Sequence, residues 1–382
     1  MQKFNSSNIQ EQFPQDSSIC YLNHAAVSPW PLCTQQAVTQ FAQQNVHQGA
    51  TDYLQWMKVE LELRQRLAAL IHTKDITEIA LAKSTSEALS IIAYGIAWQA
   101  GDEIIISDQE FPSNRIIWES LADRGVKVIE VPIGEKASIE TFENAITPST
   151  RLLSISSVQY ASGQRIDLVK LGMLCRQNGV MYCVDAIQSL GTLPFDQNEI
   201  QADFIVGDGH KWMMAAEGLS LLYVKQKYIN TLKLHQFGWH MVKDKGNYDE
   251  PSWEPATDAT RFESGSPNML GIHALHASLG LLLSYGISQV HQDLEARVAY
   301  LIEQLLTIPG VEILSPIEPE LRAGIVTFRP AHDDLKALYQ SLMDNKVICA
   351  YRGGGIRFSP GFYTPYSQID KAISRLKEIL NT

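Results

Sequence analysis

From residue 78 the chain alternates short β-rich runs with helical ones, and that alternation leaves few folds open to it. EIALAK leads into a helix from Thr85, EIIISD into a helix through NRIIWESLADRG, and KVIEVP precedes RLLSISSV. A helix through LVKLGMLCRQNG then comes before VMYCVDA, DFIVGDG and LSLLYV. Strands alternating with helices predict an α/β fold with a mostly parallel central sheet and helices on both faces. VMYCVDA and DFIVGDG are apolar on both faces, as central parallel strands are. Ligands of such sheets bind beyond the carboxyl ends of the strands, so the chemistry is expected there.

Beyond residue 230 the pattern changes to an aromatic, irregular stretch, FGWHMVKDKGNYDEPSWEPATDATRFESGSPN, and then a long helix from Met269. GIVTFRP, a helix from His332, VICAYRGGGIRFSP and a closing helix follow. They predict a smaller α+β domain over residues 261–382, after an N-terminal segment (1–20) and a large domain (21–260). The charge-free stretch 269–286 contains two histidines, two serines and three glycines, which favours a buried helix over a membrane span. A formal charge of −11 with no basic cluster among aromatics argues against nucleic acid and anionic membranes as partners. Five cysteines without C-x-x-C spacing, and no apolar run in the first 18 residues, give an expectation of reduced thiols in the cytoplasm.

Lys211 ends the buried run DFIVGDGHK, and a desolvated lysine there is a Schiff-base nucleophile. Asp185, 26 residues earlier, ends VMYCVD and is followed by Gln188. A carboxylate there can pair with the protonated ring nitrogen of pyridoxal phosphate, at ~4 Å and an effective dielectric of ~20 a gain of about 4 kcal/mol. Ser84, Thr85 and Ser86 open a helix after a strand, a phosphate cradle of free N–H groups and hydroxyls. Each has a plainer reading, preferred when it stands alone: a solvated surface lysine, a helix cap, an ordinary N-cap.

Their order along the chain, with Phe111 at a strand end between them, resembles the class V aminotransferase family of fold-type I pyridoxal-phosphate enzymes. That family includes cysteine desulfurases, kynureninases and isopenicillin N epimerase-like proteins. YLNHAAVSP (21–29), SVQYASGQ (157–164), FESGSPN (262–268) and IRFSPGFYTP (356–365) resemble further motifs of the family. The resemblance implies pyridoxal phosphate linked to Lys211, Asp185 at its ring nitrogen and Gln188 at its phenolic oxygen. Thr85, Ser86 and His210 are implied at the phosphate, with Phe111 stacked on the ring where many desulfurases carry histidine. Gly265 and Ser266 are implied to reach the phosphate across a homodimer interface. His24 falls in the substrate-side motif, and Arg357, with Arg352 as rival, is implied at the substrate carboxylate. Asp208 and Ser157 depart from the family pattern, and neither is assigned a cofactor contact.

Cys349, eight residues before Arg357, is expected to be buried, because a reactive thiol needs exposure and a lowered pKa. His273 and His276 lack a third ligand at matching spacing, so no metal is expected. No G-x-G-x-x-G follows the first strand, which disfavours a nicotinamide enzyme. The expected function is chemistry at Cα of a small amino acid, of transaminase or C–S lyase type. The alternatives are a cysteine desulfurase and a non-catalytic regulator built on the same fold.

Overall fold

A computed structural model describes residues 9–134, 137–249 and 251–381, so residues 1–8 of the expected N-terminal segment lie outside it. The strands in chain order are β1 (Cys20–Tyr21), β2 (Ile79–Ala82), β3 (Glu103–Ser107), β4 (Lys127–Val131), β5 (Thr150–Ser156), β6 (Met181–Asp185), β7 (Phe204–Asp208) and β8 (Ser220–Val224). They continue as β9 (Glu312–Ile313), β10 (Val326–Arg329), β11 (Val347–Ile348), β12 (Ala350–Arg352) and β13 (Gly355–Phe358).

Seven of them form one sheet in the order β2-β8-β7-β6-β5-β3-β4. All neighbours are parallel except β8, which runs antiparallel to both β7 and β2. The reason lies in the connections. Helices carry the chain back between the parallel strands, but only residues 209–219 join β7 to β8, too short for a crossover helix. This departure from a purely parallel arrangement puts Lys211 in a tight turn beyond the carboxyl end of β7. Side chains alternate across the sheet, as the period of two requires. Ile105, Leu153, Ile155, Val184 and Ile205 face one buried core, and Ile104, Ile106, Leu152, Phe204 and Val206 face the other.

The first of these cores runs on without a break into the C-terminal part through Val326, Phe328, Phe358 and Leu376. There a four-stranded antiparallel sheet has the order β12-β13-β10-β9, while β1 pairs in parallel with β11. Gly353 and Gly354, at φ +58° and +73°, turn β12 into β13. The helix Leu335–Asp344 begins three residues after the expected His332, because Asp334 caps it by accepting from the backbone N–H groups of Lys336 and Ala337. The apolar helix Met269–Tyr285 packs against the helices Leu32–Gln48 and Tyr53–Leu70, and at Gly286 the chain bends by 83° into the helix Ile287–Leu306. Among the described residues no single helix is long and apolar enough to cross a membrane, although that bent pair together reaches the length and apolarity.

The loop after β5 touches the small sheet at Gly163, whose φ is +74° and where a Cβ would stand 2.6 Å from the Ile325 carbonyl oxygen. Left-handed backbone and backbone contact together exclude a side chain. Gly163→Ala is expected to lower unfolding stability by about 2–4 kcal/mol, read by urea denaturation of the cofactor-free protein. A loss under half a kcal/mol would mean that the loop does not need this approach.

Candidate active site

The carboxyl ends of β2, β3, β5, β6 and β7 open on one cavity of about 300 Å³. Its lining includes Ser84, Thr85, Ser86, Phe111, Tyr160, Asp185, Gln188, Asp208, His210, Lys211, Arg352 and Arg357. Clefts of about 700 and 900 Å³ elsewhere on the described surface are larger but carry no buried lysine.

Ser84 is an N-cap in the plain sense. Its hydroxyl accepts from Glu87 N–H at 3.1 Å while the Glu87 carboxylate accepts from the N–H of Lys83, the residue before the cap, at 2.6 Å. That leaves Thr85 and Ser86 at the cavity end of the helix Thr85–Gly95, with the first free N–H groups of its turn. Thr85 Oγ1 accepts from Asp208 N–H at 3.1 Å, and Ser86 Oγ lies 2.8 Å from Ser113 Oγ, a cavity hydroxyl that sequence reasoning passed over.

Lys211 is 9% exposed and Asp185 2%. Burial pulls the Lys211 amine down to about 8, against the opposing attraction of Asp185, and the positive charge of Arg357 pulls it the same way as burial. Burial likewise pushes the Asp185 carboxyl up to about 7, against a 3.0 Å hydrogen bond from Ile187 N–H and the charge of Lys211. Both groups thus stand within reach of neutral pH, as proton-transfer chemistry requires. Lys211 Nζ sits 5.5 Å from the centre of the Phe111 ring, which meets Tyr160 edge-on at 5.1 Å.

Gln188 has a determined orientation. Trp212 Nε1–H can only donate, and it donates to Gln188 Oε1 at 2.7 Å, so the amide nitrogen faces the other way. One of its hydrogens goes to the Ala25 carbonyl at 3.1 Å and the other is left for the cavity. Asp208 Oδ1 lies 2.9 Å from His210 Nδ1, both buried and without a well-aligned hydrogen bond, so this carboxylate is turned to the imidazole.

Arg357 on β13 is buried, donates to the Tyr160 carbonyl at 2.7 Å and to Asn23 Oδ1 at 3.4 Å, and keeps an unpartnered Nε. Burial and the neighbouring Arg352 bring it down to about 10. Arg352 is exposed at the hairpin tip and donates to the Tyr351 carbonyl at 3.0 Å. Both arginines face the cavity; only Arg357 is anchored on two sides.

One expectation needs correction for this chain's own cavity. His24 does not face it: its ring nitrogens lie 2.9 Å from the Ser359 carbonyl and 2.8 Å from the Tyr363 hydroxyl, and burial brings it down to about 4. The backbone of the same loop contributes Ala25 and Ala26 instead. Gly265 and Ser266 are exposed and outside the cavity. Ser157 also points elsewhere, with Oγ 3.1 Å from the Asp185 carbonyl and 2.8 Å from Ser189 Oγ. Cys349 is 1% exposed, burial pushes its thiol up to about 12, and among the described residues no cysteine lines the cavity.

His273 and His276 are held apart, by the Met269 carbonyl at 2.8 Å and Glu62 at 3.1 Å. Glu60, His240 and Glu263 do converge within 4.8 Å, but the Arg64 guanidinium bonds both carboxylates at 2.5–2.8 Å and supplies the positive charge a cation would bring.

The sequence matches the family described as Aminotransferase class-V over residues 20–360. The chain belongs to that family. A "Probable cysteine desulfurase" of Methanothermobacter thermautotrophicus is 27% identical over 354 residues, 91% of this chain and 87% of that protein. A "Cysteine desulfurase" of Escherichia fergusonii is 25% identical over 408 residues and covers 98% of each chain. Among solved structures, the cystine C-S lyase C-DES in complex with its reaction product cysteine persulfide superposes with a TM-score of 0.89 at 25% identity, over 96% of this chain and 99% of that one. The cysteine desulfurase CsdA of Escherichia coli superposes with a TM-score of 0.89 at 22% identity, over 100% and 99%. The fold is fold-type I, with the mostly parallel central sheet expected of it.

The titration of Lys211 gives a test that needs no substrate. Between its folded value of about 8 and the ordinary 10.5 the unfolded chain holds a proton that the folded chain has lost, so stability rises with pH across that window. Cofactor-free wild type is expected to gain on the order of 1–3 kcal/mol relative to Lys211→Met between pH 8 and 10.5, measured by urea denaturation. Parallel stability profiles would show that Lys211 titrates as an exposed lysine.

Proposed function

We propose that this chain is a pyridoxal-phosphate enzyme that breaks the carbon–sulfur bond of a cysteine-type α-amino acid, and that the sulfur leaves without passing onto a thiol of the protein. The observation that carries the reading is the buried Lys211–Asp185 pair at the strand ends of a class V fold. The relatives' names favour the desulfurase alternative over transamination, and both desulfurase and lyase act on the same bond.

The residues present fit the cofactor. The N–H groups at the start of the helix Thr85–Gly95, with Thr85, Ser86 and His210, would hold its phosphate. Asp185 would hold a proton on its ring nitrogen, the Gln188 N–H left over would serve its phenolic oxygen, and Phe111 would stack on the ring. When bound, pyridoxal phosphate supplies an electron sink for the pair left at the substrate Cα. Lys211 Nζ would take the Cα proton, which an amine with a pKa of about 8 can both accept and return. Arg357 grips the α-carboxylate with its planar guanidinium and sets the Cα–H bond toward Lys211. The Phe111 ring has no proton to give, so proton transfer at the site falls to Lys211. We further propose a cytoplasmic homodimer in which the exposed Gly265 and Ser266 of one copy meet the phosphate in the other.

A desulfurase is the second reading, favoured by the relatives. It requires a mobile thiol at the substrate sulfur. Cys349 is the single residue between β11 and β12, buried and with a raised pKa, and the stretch from there to Arg357 is the β12–β13 hairpin. The lyase reading expects Cys349→Ala to release sulfur from cysteine or cystine at the wild-type rate, with pyruvate and ammonia as products. Alanine formed from cysteine and abolished by Cys349→Ala would make the enzyme a desulfurase.

Arg357→Lys is expected to raise KM for the amino acid at least tenfold while the cofactor stays bound, since an ammonium cannot reproduce the bidentate fork. If Arg352→Lys gives that result and Arg357→Lys does not, the carboxylate belongs to the hairpin tip.

A further inference from the structure

Beneath the cavity lies a carboxylate that the mechanism above does not use. Glu110 is 6% exposed, and its two oxygens accept five hydrogen bonds. Oε1 takes Ser107 Oγ–H at 2.8 Å, Ser156 N–H at 3.0 Å and Gln159 Nε2–H at 3.2 Å. Oε2 takes Asn114 Nδ2–H at 2.8 Å and Ser156 Oγ–H at 2.5 Å. Such a set suits a buried carboxylate, which is all acceptor, and three of the bonds, from Ser156 N–H, Ser156 Oγ–H and Gln159 Nε2–H, join the 107–114 segment to the 156–160 loop.

The two segments carry the cavity's working groups. Phe111 follows Glu110 directly, and Asn114 opens the helix Ser113–Glu119, where its own Oδ1 is fixed by Trp118 Nε1–H at 3.0 Å and Ser154 Oγ–H at 2.6 Å. Tyr160 follows Gln159, meets the Phe111 ring edge-on at 5.1 Å, and accepts from Arg357 through its carbonyl at 2.7 Å. Ser156 also stands opposite Asp185 in the β5–β6 register.

We propose that Glu110 is a positioning residue that clamps the Phe111 loop to the 156–160 loop, and so sets the ring over the cofactor and the guanidinium of Arg357 relative to each other. This rests on the functional reading above.

The two halves of the clamp separate by substitution. A glutamine at 110 keeps one oxygen, which faces the three donors on the Oε1 side, and turns its NH₂ toward Asn114 Nδ2–H and Ser156 Oγ. The Asn114 bond, which holds the start of the helix after Phe111, is then lost while the Ser107, Ser156 N–H and Gln159 bonds remain. Replacing Gln159 by methionine removes its bonds to Glu110 and to Ser107 Oγ at 3.2 Å and leaves the Asn114 bond in place.

Purified protein reconstituted with pyridoxal phosphate is compared by visible circular dichroism of the bound cofactor, by KM and kcat for cysteine, and by melting of the cofactor-free form. Glu110→Gln is expected to change the cofactor's dichroic band and lower kcat on the order of tenfold, with KM moving less than threefold. Gln159→Met is expected to raise KM on the order of tenfold and leave the dichroic band as in wild type. If Glu110→Gln melts at a lower temperature yet keeps the wild-type band and kcat, the residue is structural only and the proposal falls. A wild-type KM in Gln159→Met overturns the link to Arg357, and this variant decides the matter if Glu110→Gln does not fold. Wild-type protein that takes up no pyridoxal phosphate overturns the functional reading and the proposal with it.

Discussion

The structure turns on keeping an amine and a carboxylic acid together out of water. Lys211 and Asp185 are each shifted toward neutrality, to about 8 and about 7, and burial is the first cause in both. Removing one such ion from water costs several kcal/mol, and burial outweighs the attraction between the two groups, so each is drawn toward its neutral form. That shift lasts only while the surroundings stay dry and fixed. The core residues of β6 and β7 are the walls: Cys183, Val184, Phe204, Ile205 and Val206 are all 0% exposed.

How the pair is brought together follows from the one antiparallel strand of the seven-stranded sheet. Because β8 returns beside β7 without a helix, the 209–219 turn folds back over the end of the sheet and aims Lys211 at the neighbouring strand end. In register, Asp185 stands opposite Val206, two residues before Asp208, and Ser220 stands opposite both Asp208 and Ala82. The helix that follows β2 therefore starts beside Asp208, and the Asp208 N–H to Thr85 Oγ1 bond is the local result. The same strand that breaks the parallel pattern, paired between β2 and β7, joins the phosphate-type helix start to the lysine turn.

Much of this was legible in the sequence, and the failures have physical reasons. Apolar runs ending in Asp185 and Asp208 mark buried strands, since a strand buried on both faces cannot alternate, and their ends are where an α/β sheet binds ligands. Lys211, Asp185, Gln188, Thr85, Ser86, Phe111, His210 and Arg357 accordingly meet in one cavity. His24 was misplaced because a motif gives the loop and not the direction of a ring: its two nitrogens found a carbonyl and a hydroxyl in the core. The direction of β8 was hidden, because direction depends on the length of a connection and not on the strand's own residues. Glu110 was invisible as well. Its five donors come from four residues spread between positions 107 and 159, and no local pattern announces a contact made by folding.

The substrate side is divided between two sheets, and few bonds hold it. Arg357 belongs to the antiparallel sheet but reaches the Tyr160 carbonyl on the loop after β5, while Ser28 N–H donates to the His210 carbonyl and Gln188 to that of Ala25. A displacement of about 1 Å between reacting groups costs on the order of a hundredfold in rate, and these bonds set the distance from the Arg357 guanidinium to the Lys211 amine. The segment between Cys349 and Arg357 is part of that framework. It is taken up by β12, a two-glycine turn and β13, each residue of β12 paired across the hairpin. A chain that uses this stretch to hold a guanidinium still cannot also let it swing a thiol to the substrate. Rigidity at Arg357 and a travelling sulfur acceptor are alternatives at this point of the fold, and the pairing of β12 with β13 favours the first.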